Sequence, residues 1–160
     1  MRRERPSTGV RSDLGDLYRQ EGQRLWRAVF AYAQDREVAS DAVAEAFAQC
    51  IRRGEAVIDP RAWVWRASFR IAAGEMKNRG RDVHAAIEGS YEMPEDAGRL
   101  LAALRTLPPN QRAAMTLRHY AGYPTSEVAD LLGCSTATVR VHLSRARRRL
   151  RGLLEDQGHD

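Results

Sequence analysis

The stretch TSEVADLLGCSTATVRVHLS, residues 125–144, leaves a folding chain little choice. Apolar residues recur at helical spacing on both sides of Gly133, with only a short break between the two halves. Two helices joined that closely must cross at a steep angle. The crossing needs a small side chain, and Ala129 supplies it. The turn needs a residue that tolerates positive φ, which Gly133 does. The second helix needs an apolar anchor beneath it, and Val139 falls at that offset. Ser135 can cap the second helix. The pattern predicts a helix-turn-helix whose second helix carries Thr138, Arg140, His142 and Arg145 ahead of Arg147-Arg148-Arg149. Six arginines and no acid lie between Ser135 and Arg151. Short polar and basic side chains early in a helix suit base edges in a major groove, and arginines further along suit phosphates. DNA is the expected ligand.

The rest of the chain is also patterned for helices, and no strand-like alternation or internal repeat appears. Leu14, Leu17, Tyr18, Leu25, Trp26, Val29, Phe30 and Ala33 make one apolar stripe, with Asp13 placed to cap its start. Gln34-Asp35 interrupts it. Val38, Ala42, Val43, Ala46, Phe47, Cys50 and Ile51 make a second, which closes on Arg52-Arg53-Gly54, a basic last turn followed by a C-terminal glycine. Asp59-Pro60 reads as an N-cap with proline at the first helical position, opening a third helix to about Arg79. Helical spacing restarts with Leu100, Leu101, Leu104 and Leu107. Pro109 can open a further helix with Ala113, Leu117 and Tyr120 on one face, and Gly122-Tyr123-Pro124 ends it. The expected fold is all-α, with two small helical domains near residues 13–80 and 98–155. An acidic linker, 81–97, joins them, since Asp82 to Ala97 holds five acids and no Lys or Arg.

Charge and composition exclude several classes. The chain has 160 residues and a formal net charge of +5, and no apolar run approaches the roughly 20 residues of a membrane span. The basic start MRRERPSTG is followed by no apolar core, which argues against a secretory signal. Cys50 and Cys134 are far apart and fit neither a disulfide framework nor zinc spacing. The expectation is a cytoplasmic protein without cofactor or metal. No paired carboxylates, phosphate loop or nucleophile motif suggests an enzyme.

The third helix carries a second signal. DPRAWVWRASFRIAAGEMKNRGR sets Trp63, Trp65 and Phe69 among Arg61, Arg66, Arg70, Lys77 and Arg79. Val64, Ala67 and Ile71 form one apolar face, and Trp65, Phe69, Ala72 and Met76 another. A helix apolar on two sides has more than one contact to make. Rings for stacking beside cations for phosphate are what an unpaired strand needs. Core tryptophans with solvated arginines are the alternative reading of the same residues.

The order of these parts resembles the sigma factors of the extracytoplasmic-function (ECF) group, the minimal two-domain kind. Ser40–Cys50, SDAVAEAFAQC, resembles the family's polymerase-docking region. Asp59–Arg79 resembles its region for recognising and melting the downstream promoter element. Leu107–Tyr120 resembles the lead into its helix-turn-helix, and Ala129–Arg147 its reader of the upstream element. The resemblance implies contacts to core RNA polymerase from Asp41, Glu45 and Phe47, and to the downstream element from Trp63, Arg66, Arg70, Lys77 and Arg79. For the upstream element it implies Ser135, Thr136, Thr138, Arg140, Val141, His142, Ser144, Arg145, Arg147 and Arg148. The loop Gly54–Asp59 would hold an extruded base, and an anti-sigma protein is an expected partner. Where the family usually has Asn and, four residues on, Asp in the melting helix, this chain has Arg70 and Gly74; Val141-His142 replaces a frequent Ser-Arg. The other reading is a stand-alone helix-turn-helix repressor or activator with an N-terminal dimerisation or sensor domain.

Overall fold

Asp35 shows how local chemistry sets this fold. The preceding residue, Gln34, turns the chain with a φ of 60°, and its side-chain Nε2 donates to the Ala31 carbonyl at 2.7 Å. Asp35 is then extended and accepts from the Val38 amide at 3.0 Å, satisfying one of the unpaired donors of the next helix. Asp35→Ala is therefore expected to cost about 1 kcal/mol of stability, read as a lowered midpoint in thermal or urea unfolding. An unchanged midpoint would mean that the cap contributes nothing to this turn.

The structure is a computed structural model, and it describes residues 8–78 and 95–157. Arg79 and most of the expected linker lie outside them. The fold is all-α. The chain divides into two compact units, residues 1–80 and 81–160.

The first unit holds α1 (Thr8–Ala33), α2 (Arg36–Arg53), a short 3₁₀ turn (Gly54–Ala56) and α3 (Pro60–Asn78), each helix packed on the other two. α1 starts earlier than Asp13, which lies inside it and is exposed, so Asp13 is not its cap. Acids are tolerated on that solvent face, where Asp16 pairs with Arg19. α2 stops at Gly54, whose φ of 57° lets its amide return to the Cys50 carbonyl. Asp59 Oδ1 accepts from the Ala62 amide at 3.2 Å and starts α3 ahead of Pro60. The core is built from Leu25, Val29, Val38, Val43, Cys50, Val64 and Trp65, with Phe69 stacked between Tyr32 and Trp65. Most of both apolar faces of α3 is buried, with Ile71 and Met76 half-buried, and the helix packs against both α1 and α2.

The second unit holds α4 (Glu95–Arg105), α5 (Pro109–Met115), α6 (Thr125–Leu132) and α7 (Thr136–Gln157). α4 begins at Glu95, two residues before the expected end of the linker at 97. Acidic side chains are favoured in a first helical turn, and Glu95 also pairs with Arg99 at 2.8 Å. α5 runs directly into a π turn, Thr116–Tyr120, closed by the Ala121 amide on the Thr116 carbonyl at 3.1 Å. The wider turn shifts the helical phase. Ala113 and Leu117 are buried as the spacing predicts, but Tyr120 is half exposed and Tyr123 fills the interior instead.

Candidate nucleic-acid interfaces

The helix-turn-helix is formed by α6 and α7. Gly133 sits at φ 69°, ψ 35°, and its amide and that of Cys134 return to the last turn of α6. Ser135 Oγ accepts from the Thr138 amide at 3.1 Å and lies 2.8 Å from the Thr138 hydroxyl. Ala129 and Val139 are buried at the crossing, and Leu143 and Ala146 continue the anchor. The opposite side of α7 faces solvent. At about 3.6 residues per turn, Ala137, Val141, Ser144 and Arg148 succeed one another along it. Arg140 and Arg147 flank one edge and Thr138 and Arg145 the other, all exposed. Thr136 and His142 are half-buried.

Two placements differ from a simple arginine-to-phosphate reading. Ser135 spends its hydroxyl on the cap and on Thr138. Arg149 turns back, and its Nη1 donates to the Thr106 carbonyl at the end of α4 at 3.2 Å. The run Arg147–Arg149 therefore offers two outward guanidinium groups, with the third fastening α7 to α4. His119, on the π turn, adds to the local electrostatics. Burial, and then the charges of Arg118 and Arg147, hold its imidazole below the usual histidine range. Imidazolium is disfavoured there first because burial strips its hydration, and then because the neighbouring guanidinium groups are already positive.

In the first unit, α2 and α3 frame a cleft of about 140 Å³ lined by Gln49, Arg53, Trp63, Arg66, Ala67, Arg70 and Ile71. The structure thus brings Trp63, Arg66 and Arg70 together. It adds Arg53, whose guanidinium carbon lies 5.7 Å from the Trp63 ring centre. Sequence reasoning gave Arg53 only the role of a basic helix end; the available signal was a cation at the C-terminus of the helix preceding an aromatic-rich one. Trp63 is half-buried, while Trp65, two residues on, is fully buried. Lys77 is exposed nearer the end of α3, and Arg79 lies outside the described residues. Arg61 pairs with Glu21 at 3.1 Å. Between α2 and α3, Ile58 is 98% exposed.

The acidic face of α2 is less simple than its sequence. Asp41 is exposed. Glu45 accepts from Gln49 at 3.0 Å and Arg52 at 2.9 Å, and these hydrogen bonds hold its carboxyl below the usual carboxylate range. Phe47 is buried, its ring meeting Tyr18 edge-on with centroids 5.1 Å apart. Its place on the apolar stripe turns it into the core, so Tyr18, 56% exposed, presents the aromatic surface there. Among the described residues no group of three or more His, Cys, Asp or Glu is placed to hold a metal.

The family model for "Sigma-70, region 4" matches residues 97–150, which contain the whole helix-turn-helix. The chain is 28% identical to the ECF RNA polymerase sigma factor SigL of Mycobacterium tuberculosis over 89% of each chain. Over most of its length the chain is similar to the ECF sigma factors. The chain is also 41% identical over 76 residues to the RNA polymerase sigma-E factor of Streptomyces antibioticus, and the match spans 42% of that relative's length. The fold is shared with a sigma factor RpoE solved in complex with the anti-sigma factor NepR from Bartonella quintana. The TM-score is 0.68 at 23% identity, covering 88% of this chain and 97% of that one.

Proposed function

We propose that this chain is an alternative sigma factor that binds core RNA polymerase and directs promoter-specific initiation. The observation that carries the reading is the cleft of Trp63, Arg53, Arg66 and Arg70 in a chain that also bears a helix-turn-helix. A repressor needs only the second of these. A protein that opens DNA also needs rings and cations for the displaced strand, because a closed duplex offers no base face. The role is not catalytic; the chain supplies binding energy and register. α7 reads the upstream element in the major groove. The loop Gly54–Asp59 and the cleft hold the unstacked strand. Residues 13–80 make the polymerase-docking and melting domain, 81–97 the linker and 98–155 the upstream reader. Among the described residues no helix is long and apolar enough to cross a membrane, and the cytoplasm is where such a factor meets polymerase and promoter. An anti-sigma protein is the partner that would mask the docking surface; the Bartonella sigma factor is itself seen in complex with one.

Asp41, on the exposed face of α2, is the first docking residue to test. In Asp41→Lys, comigration of the full chain with purified core polymerase is expected to weaken with no change in thermal unfolding. Undiminished comigration would remove this face from the interface. At the upstream element, Arg140→Ala is expected to cost on the order of 1–3 kcal/mol and to relax specificity at one base pair. Arg148→Ala is expected to weaken all sequences evenly and to flatten the salt dependence. Even loss across sequences in Arg140→Ala would make Arg140 a phosphate contact.

A further inference from the structure

Val141 lies outside the core of the second unit. The interior side of α7 is Val139, Leu143 and Ala146, all buried, while Val141 is 46% exposed near the middle of the outward face. Ala137 lies one turn before it and Ser144 and Arg148 one and two turns after. α7 carries no acid from Thr136 to Leu154, and exposed Arg140, Arg145 and Arg147 stand on either side of that outward row. If those guanidinium groups hold phosphates and base acceptors, the residue between them faces the floor of the groove. An isopropyl group there can donate and accept nothing. Of the base edges in the major groove, only thymine presents a methyl group, at C5.

We infer that Val141 is a specificity-determining residue that packs on the C5-methyl of one thymine in the upstream element. The inference rests on the reading of α7 as a major-groove reader and adds which base atom it meets. Any other base pair at that position leaves the side chain against a polar edge whose hydration is lost without compensation. A thymine is therefore required at one position by an apolar contact, beside the positions read by hydrogen bonds.

The test separates the methyl from every other feature of the base. Duplexes are selected from a random pool by the full chain assembled with core polymerase, and each thymine of the selected element is replaced singly by deoxyuridine. The hydrogen-bonding edge is unchanged and only the methyl is lost. One position is expected to show about a fourfold loss of affinity, the size set by burial of a single methyl-sized group. In Val141→Ala the same replacement is expected to have little effect, with thermal unfolding as in the parent. If an element is enriched but no thymine is sensitive to loss of its methyl, the role of Val141 is overturned and the reading of α7 stands. Equal sensitivity in the parent and in Val141→Ala overturns it too. If no sequence is enriched, both fall together.

Discussion

Trp63→Ala, assembled with core polymerase, is expected to form the closed promoter complex nearly as well as the parent and to open it roughly tenfold more slowly. Trp63 is half-buried beside Arg53, Arg66 and Arg70, so an unpaired strand can meet ring and cations together. Stacking of one base on an aromatic ring contributes about 1–3 kcal/mol, and 1.4 kcal/mol is tenfold. A template already mismatched across the melted segment removes the unstacking cost, and most of the lost rate should return on it. Stopped-flow fluorescence of 2-aminopurine in the melted segment reads the opening step directly. No rescue by the mismatched template, together with a large fall in the unfolding midpoint, would make Trp63 a structural residue.

Trp65→Ala is expected to do what Trp63→Ala does not. Trp65 is fully buried and stacks with Phe69, which stacks in turn with Tyr32 on α1. Truncation leaves a cavity in the core of the unit, at a cost of about 3–5 kcal/mol. A unit of this size has little stability in excess of that. Circular dichroism of the full chain should then show part of the helical signal melting far below the rest. A midpoint shift no larger than that of Trp63→Ala would mean that the two tryptophans have been assigned the wrong way round.

This division of labour also marks where the sequence was informative. Residue spacing alone places Ala129, Gly133, Ser135 and Val139, because a tight helical crossing admits few residue types and each needs a fixed offset. The caps at Asp59-Pro60 and Gly54 are legible for the same reason: the backbone conformation dictates the residue. Side-chain destinations are less legible. The resemblance implies Phe47 as a docking residue, yet it is buried with the rest of its apolar stripe and meets Tyr18. Arg149 reads as one of three equivalent arginines, but the end of α4 supplies a carbonyl within its reach. Tyr120 is misplaced because the spacing assumes an α-helix through Thr116–Tyr120, where the chain forms a π turn. Arg53 is missed because its partner ring, ten residues on, becomes its neighbour only when α3 folds back along α2. Short-range geometry is written in residue types; contacts between elements depend on phase and packing that no single segment encodes.

Initiation itself is the most direct test. Run-off transcription is measured with purified core polymerase on pooled fragments of the source genome, with and without the full chain. The account predicts new promoter-dependent products that appear only with the chain. They should be reduced by Arg140→Ala and slowed by Trp63→Ala. Tight binding of the chain alone, as a symmetric dimer, to half-sites about one helical turn apart would contradict it if no product appeared with core polymerase. That outcome would make the chain a repressor or activator instead.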